Sequence, residues 1–266
     1  MLSPFLPPSD PYKLSAGSNA PLFFQTIRDI IALLIQKSTT ILAVKDNMIK
    51  AYFIQKNIDP INEDVLDRMI SALPKDRREK ALRFRFHEGK VLSALSWLLL
   101  SYLLEKEDIH HGSFEMIMGK NEKPLVKDGS FFFNISHTNG AVLAAAGFSQ
   151  VGADIQRIME KDTEAVAKRV FTPSELSLFK SSNEPEKEFT RLWTLKESYI
   201  KYTGSGISGL ENAPDFSSFN KAGGSLSDGP SFLTKEGDGL YISICSDDET
   251  ELCEISIDEI LEQLPL

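Results

Sequence analysis

Val151-Gly152-Ala153-Asp154-Ile155-Gln156 and, further along, Leu192-Trp193-Thr194-Leu195-Lys196-Glu197-Ser198-Tyr199-Ile200-Lys201 decide how this chain folds. The first stretch reads as a strand. Side chains two apart share a face, so Val151, Ala153 and Ile155 point into a core while Asp154 and Gln156 point the other way. The second reads as a helix on which Leu192, Leu195 and Tyr199 form an apolar arc extended by Trp193 and Ile200. Glu197 and Lys201 stack one turn apart at the margin of that arc. Carboxylate, amide and ammonium groups thus meet at the rim of a buried surface. That donor set suits a magnesium ion and a diphosphate, because Mg²⁺ takes few protein ligands and fills its shell with phosphate and water.

Working outward, residues 1–20 are rich in Pro, Ser and Asn and are expected to lack fixed structure. Residues 22–36 read as a helix with Phe23, Ile27, Ile30, Ile31, Leu34 and Ile35 on its apolar positions, and residues 39–44 are strand-like. A strand over 48–54 follows, then a helix opened by Asn62-Glu63-Asp64 and broken at Leu73-Pro74. Residues 75–90 carry Arg77, Arg78, Lys80, Arg83, Arg85 and Lys90, either a solvated helix face partly offset by Asp76 and Glu79 or a phosphate-binding one. Residues 91–105 are nearly all apolar and predict a core helix. Phe131 to Ser136, residues 141–147 and the Asp154 strand predict three consecutive antiparallel strands, the first two joined through Asn139-Gly140.

Thr172-Pro173-Ser174-Glu175 has the form of a capping box, which by itself explains Glu175. Gly204 is placed to end the Trp193 helix. Residues 217–239 read as a Gly/Ser-rich surface excursion, and residues 240–245 and 252–257 as a closing hairpin followed by a short terminal turn. The order strand, helices, long helix, strands begins at Met48 and again at Val151, which predicts a duplicated α+β arrangement with a cleft between its halves.

Phe133-Asn134-Ile135-Ser136-His137, the Asp154 strand, Phe171 with Glu175, and the Trp193 helix with Gly204 and Gly206 resemble, in order and spacing, the signature blocks of the surfactin-type 4′-phosphopantetheinyl transferases. The resemblance is clearest over residues 119–210 and extends more weakly from Met48 to the C-terminus. It implies an α+β fold of two similar α/β subdomains in a pseudo-twofold arrangement, each a small antiparallel sheet packed on helices. The halves would be 48–149 and 150–266, and residues 1–47 either an added arm or the product of a start placed too early. The implied reaction moves phosphopantetheine from coenzyme A to a serine of an acyl or peptidyl carrier protein, with Mg²⁺ held by Asp154, Glu197 and Gln156. Cofactor contacts would come from Lys201, Ser136 and His137, from Arg78 and Lys80 toward the 3′-phosphate, and from Lys120 or Lys123, matching a Gly-Lys-Pro segment that here reads Gly119-Lys120-Asn121-Glu122-Lys123-Pro124. Glu197, Lys201 and Glu175 would be catalytic. The serine proton has three possible destinations: Glu197, a metal-bound hydroxide or a water held by Glu175.

Composition bounds the rest. The 266 residues, 42% hydrophobic and 25% charged, suffice for one large or two small domains. A net charge of -9 argues against general nucleic-acid binding, which needs a basic face. The acidic balance also leaves carrier docking to local apolar and basic surface. Cys245 and Cys253 have no metal-ligand spacing and are too few for a disulfide framework, so a reducing cytoplasm is expected. Taken as a whole, the chain reads as a monomeric enzyme. The longest apolar runs, residues 30–35 and 92–104, are too short to span a bilayer, which takes roughly 20 residues of helix.

Overall fold

The structure, a computed structural model, describes residues 48–264 apart from Asn57, Asp59, Pro60 and Asp162. The expected helix over 22–36 and strand over 39–44 lie outside the described residues. The chain divides between Asp46 and Asn47, and the unit that follows carries every element below.

In chain order the first half contributes β1 (Ile49–Ile54), α1 (Glu63–Ala72), α2 (Lys75–Leu82), α3 (His87–Lys106), β2 (Met116–Met118), β3 (Pro124–Val126), β4 (Phe132–Thr138) and β5 (Ala141–Gly147). The second contributes β6 (Val151–Arg157), α4 (Thr163–Val170), α5 (Pro173–Ser181), α6 (Pro185–Thr203), β7 (Gly223–Ser225), β8 (Ser231–Gly237) and β9 (Leu240–Ser246), and the chain ends with β10 (Thr250–Glu254) and α7 (Ile257–Leu261). Two four-stranded sheets result, ordered β10-β1-β5-β4 and β6-β9-β8-β7, with β2 and β3 as a separate small hairpin. The opening strand of each half pairs with the last strand of that half, and that strand pairs with the one before it. This is the expected duplication of an α+β unit. All pairs within the two sheets are antiparallel except β10, which lies parallel to β1.

Alternation along the strands builds the layers. In β1, Tyr52 and Ile54 face the cluster made with α1 and α3, whereas Ile49, Ala51 and Phe53 face a second cluster shared with Val151, Ala153, Ile155, Ile242 and Ile244 of the other sheet. The sheets therefore pack on each other, with α3 outside one and α6 outside the other. β5 is buried along its whole length and is built largely of alanine, as fits a strand covered on both faces. Each large side chain taken fully from water, such as Phe53, contributes roughly 1.5–3 kcal/mol. Asn62 caps α1 by accepting from Val65 N–H at 3.0 Å.

Three expectations are corrected. β4, β5 and β6 run consecutively, but β6 joins the second sheet; it lies alongside β4 through side-chain bonds, Asn134 Oδ1 accepting from Ala153 N–H at 3.0 Å and Thr138 Oγ1 from Arg157 N–H at 3.3 Å. There is no closing hairpin. Both edges of β9 are occupied by β6 and β8, so the chain turns after Ser246 and β10 extends the first sheet at the remaining edge of β1. Consistently, Cys245 and Cys253 are free thiols in different sheets. Residues 217–239 are more than a surface excursion, since they include β7 and β8 and bring Phe232 against Phe216 at a ring separation of 5.0 Å. No helix among the described residues is long and apolar enough to cross a membrane.

Candidate active site

Gly152 sets how closely α6 lies on β6. A Cβ there would stand 2.1 Å from both Ser198 O and Tyr202 N, so the helix backbone rests on the strand only because the side chain is a hydrogen. Leu192, Leu195 and Ile200 bury the inner face of α6, and Thr194 Oγ1 meets Ser243 Oγ of β9 at 2.8 Å. Gly204 ends the helix in the left-handed conformation at φ 69°. The rotation fixed in this way brings Lys201 to β6 and β4.

Asp154, 5% exposed, accepts at Oδ1 from Ser136 Oγ of β4 at 2.8 Å and from Lys201 Nζ at 2.6 Å. Lys201 Nζ also donates to Ser136 Oγ at 3.0 Å, closing a triangle between β4, β6 and α6. Glu197 is half-buried beside it. Loss of hydration, and next the negative charge of Asp154, lift its carboxyl above the usual range, with Lys201 opposing. One carboxylate thus disfavours charge on another at close range, an environment that a cation would relieve.

His137 leaves β4 next to Ser136. Part of its surface meets solvent, yet desolvation of the ring, then the charges of Lys201 and Lys80, hold its imidazole below the ordinary histidine range. Lys80 in turn is held down by desolvation and then by Arg77. The positive groups Lys201, Lys80 and Arg77, with the neutral-leaning His137 ring between them, therefore run from Asp154 to α2.

Several expected residues stand elsewhere. Arg78 turns back to donate to Ser71 O at 2.7 Å and Leu73 O at 3.3 Å, closing the end of α1. Arg77, three residues from Lys80 and so on its face of α2, lies half-buried over the Trp97 ring at 4.4 Å. Glu175 is fully buried and committed: Oε2 accepts from Thr172 N–H at 2.8 Å and lies 3.0 Å from Lys196 Nζ, and Oε1 accepts from Phe216 N–H at 2.9 Å. The capping box is present, and the structure does not bring Glu175 to Asp154. Gln156 lies on the Asp154 face of β6, half-buried at an open hollow of about 420 Å³ that Thr138 and Asn139 also line. Lys120 is exposed, whereas Lys123 is half-buried against α6.

Among the described residues no group of three or more His, Cys, Asp or Glu side chains is placed to hold a metal. The neighbouring Asp154 and Glu197 carboxylates fit an ion that keeps most of its shell in phosphate and water, as Mg²⁺ does, and fit poorly a fully caged one.

A family model described as the 4′-phosphopantetheinyl transferase superfamily matches residues 150–237. The chain is 33% identical over 157 residues to the 4′-phosphopantetheinyl transferase Sfp of Bacillus subtilis, covering 56% of this chain and 68% of that one. It is 32% identical over 158 residues to the 4′-phosphopantetheinyl transferase HetI of a Nostoc species, covering 56% and 67%. A solved holo-[acyl-carrier-protein] synthase of Thermotoga maritima is 20% identical over 38% of this chain and 64% of its own, at a TM-score of 0.27, and adds no weight. With two thirds of such relatives matched at this identity, the chain belongs to the 4′-phosphopantetheinyl transferase superfamily.

Proposed function

We propose that this enzyme transfers the 4′-phosphopantetheine group of coenzyme A to a serine of an acyl or peptidyl carrier protein in a Mg²⁺-dependent reaction. The observation that carries the reading is the triangle of Asp154, Ser136 and Lys201 with the Glu197 carboxyl beside it. Asp154 and Glu197 would hold the ion, with Gln156 contributing directly or through water. When bound, Mg²⁺ supplies positive charge to the diphosphate as 3′,5′-ADP departs.

The protein's own groups do the rest. Lys201 and Ser136 are donors that turn from Asp154 to phosphate oxygens, and His137 donates to the same diphosphate. Lys80 takes the 3′-phosphate together with Arg78, which is exposed and also bonds the end of α1, or with Arg77, which is half-buried and also bonds Met116 and Asp76. Lys120 contacts the cofactor from the open side. The carrier serine Oγ forms a bond to the β-phosphorus while the bond to the 3′,5′-ADP oxygen breaks. Its proton is assigned to Glu197, the carboxyl that stands beside Asp154. Glu175, with both oxygens bonded in the core, is not assigned that proton. The protein would act as a monomer in the reducing cytoplasm.

The test is to mix the protein with an apo carrier, coenzyme A and Mg²⁺ and to weigh the carrier. The expected result is a mass gain of one phosphopantetheine, abolished by a chelator. A carrier that binds tightly yet gains no mass would mean that the fold serves here as a binding module.

A further inference from the structure

The C-terminal turn of α6, which carries Lys201, is held from outside by three side chains. Lys123 Nζ donates to Tyr202 O at 3.1 Å and to Val151 O at 3.4 Å. Gln150 Nε2 donates to the same Tyr202 O, and Asn121 Nδ2 donates to Gly204 O at 2.8 Å. The last carbonyls of a helix have no partners within it and form the negative end of its dipole, so a cationic donor is favourable there. Asn121 and Lys123 both come from the link between β2 and β3, in the first half of the molecule. The backbone of that link is bent sharply to present them. Asn121 and Glu122 adopt φ of 53° and 61°, the left-handed region that asparagine tolerates and glutamate seldom enters. Opposite it Gly206, at φ 72°, would meet Asn121 Cβ at 3.0 Å if it carried a side chain.

Burial works against this ammonium. Desolvation pulls Lys123 down to about 8, with the Cys245 thiol a smaller opposing influence, and Lys120 and Lys201 line the adjoining cavities. The unfolded chain holds the proton up to roughly 10.4, so folding stability rises with pH between about 8 and that value, and at pH 7 the charged side chain burdens the fold. Despite this electrostatic cost Lys123 grips, from a link in the other half of the molecule, the end of the helix that bears Lys201.

We infer that Lys123 is a positioning residue for the transfer reaction: with Asn121 it ties the C-terminal end of α6 to the first half of the molecule and so sets where Lys201 and Glu197 stand relative to Asp154 and Ser136. The inference rests on the roles proposed above for Lys201 and Glu197.

The experiment is Lys123→Met in the full chain, read in four ways. Displacing reacting groups by a fraction of an ångström predicts kcat lower by about tenfold, with KM for coenzyme A within about twofold of wild type. Amide exchange at Gly204 and Ser205, whose N–H groups both bond to Ile200 O, should be several-fold faster on the order set by local opening. Unfolding stability at pH 7 should be unchanged or higher. Asn121→Ala, at an exposed residue, should show the same pattern more weakly and serves if Lys123→Met fails to fold. Unaltered exchange, or KM for coenzyme A raised tenfold with kcat kept, would overturn the inference, the second outcome making Lys123 a ligand contact. Lower stability with normal kcat per folded molecule would overturn it too. If wild-type protein loads no carrier, the functional reading fails while the exchange measurement still judges the tie.

Discussion

At the scale of residues, the contact between Asp154 and Lys201 joins two unequal partners, one almost wholly buried and one partly open to solvent. Replacing Asp154 by Asn removes the charge and keeps the shape. Transfer is expected to fall about a hundredfold or more, while the melting temperature changes little, because charge at the reacting centre is the largest single contribution in reactions of this kind. Near-normal turnover at saturating Mg²⁺ would remove Asp154 from the site. Gln156→Glu works in the other direction. An added charge at a partly solvated position should tighten Mg²⁺ without coenzyme A by on the order of 1 kcal/mol, and by less once the diphosphate is bound. Calorimetric titration under both conditions measures this, and identical affinities would mean that Gln156 does not face the ion. Glu175 separates structure from chemistry. Glu175→Gln leaves Lys196 buried beside a neutral partner and should lower stability by about 3–5 kcal/mol, with turnover per folded molecule retained. A stable but inactive variant would return Glu175 to the catalytic group.

At the scale of elements, α6 is where sequence and site meet. Its apolar arc, its stacked Glu197 and Lys201 and its terminal glycine are all legible in the sequence, because helix periodicity and capping are local properties of the chain. The capping box at Thr172 is legible for the same reason. Pairing between distant segments is not. Nothing in residues 151–157 says that they pair with 240–246 and only lean on 132–138, or that the last strand returns to the first sheet. Where Arg77 and Arg78 point was not legible, because the direction of a helical side chain depends on its neighbours, here the open carbonyls of α1 and the Trp97 ring. Gly152 stands in plain view in β6, but its purpose emerges only with α6 in place. Gly152→Ala would set a methyl against helix backbone on two sides and should cost about 1–3 kcal/mol as the helix backs away. Since Lys201 moves with the helix, turnover should fall further than stability. Paired denaturant melts and carrier-loading rates test this, and equal losses in both would show α6 to be displaced without consequence for the site.

At the scale of the whole molecule, the duplicated topology explains why the candidate site lies where it does. Each half opens with a strand that its own last strand covers on one side only. In the first half β10 takes the remaining edge of β1; in the second the remaining edge of β6 is met by Asn134 and Thr138, side chains of β4, instead of by a ladder. Ser136 lies between those two bridging residues and points at Asp154, so the seam between halves is also the place where their polar groups converge. This arrangement is complete within the described residues: β1 has partners on both edges, and its two faces are filled by α1 and α3 on one side and the second sheet on the other. The chain divides immediately before this unit, between Asp46 and Asn47. A chain beginning at Met48 is therefore expected to fold and to load an apo carrier at a rate within about twofold of the full chain, since backbone ordering and burial in the core, which dominate stability, are retained. Solubility, a cooperative melt and carrier mass are the measurements. If the shortened chain is insoluble and restoring residues 22–47 rescues it, the apolar positions of that segment, Phe23, Ile27, Ile30, Ile31, Leu34 and Ile35, cover surface that the two sheets and their helices leave open.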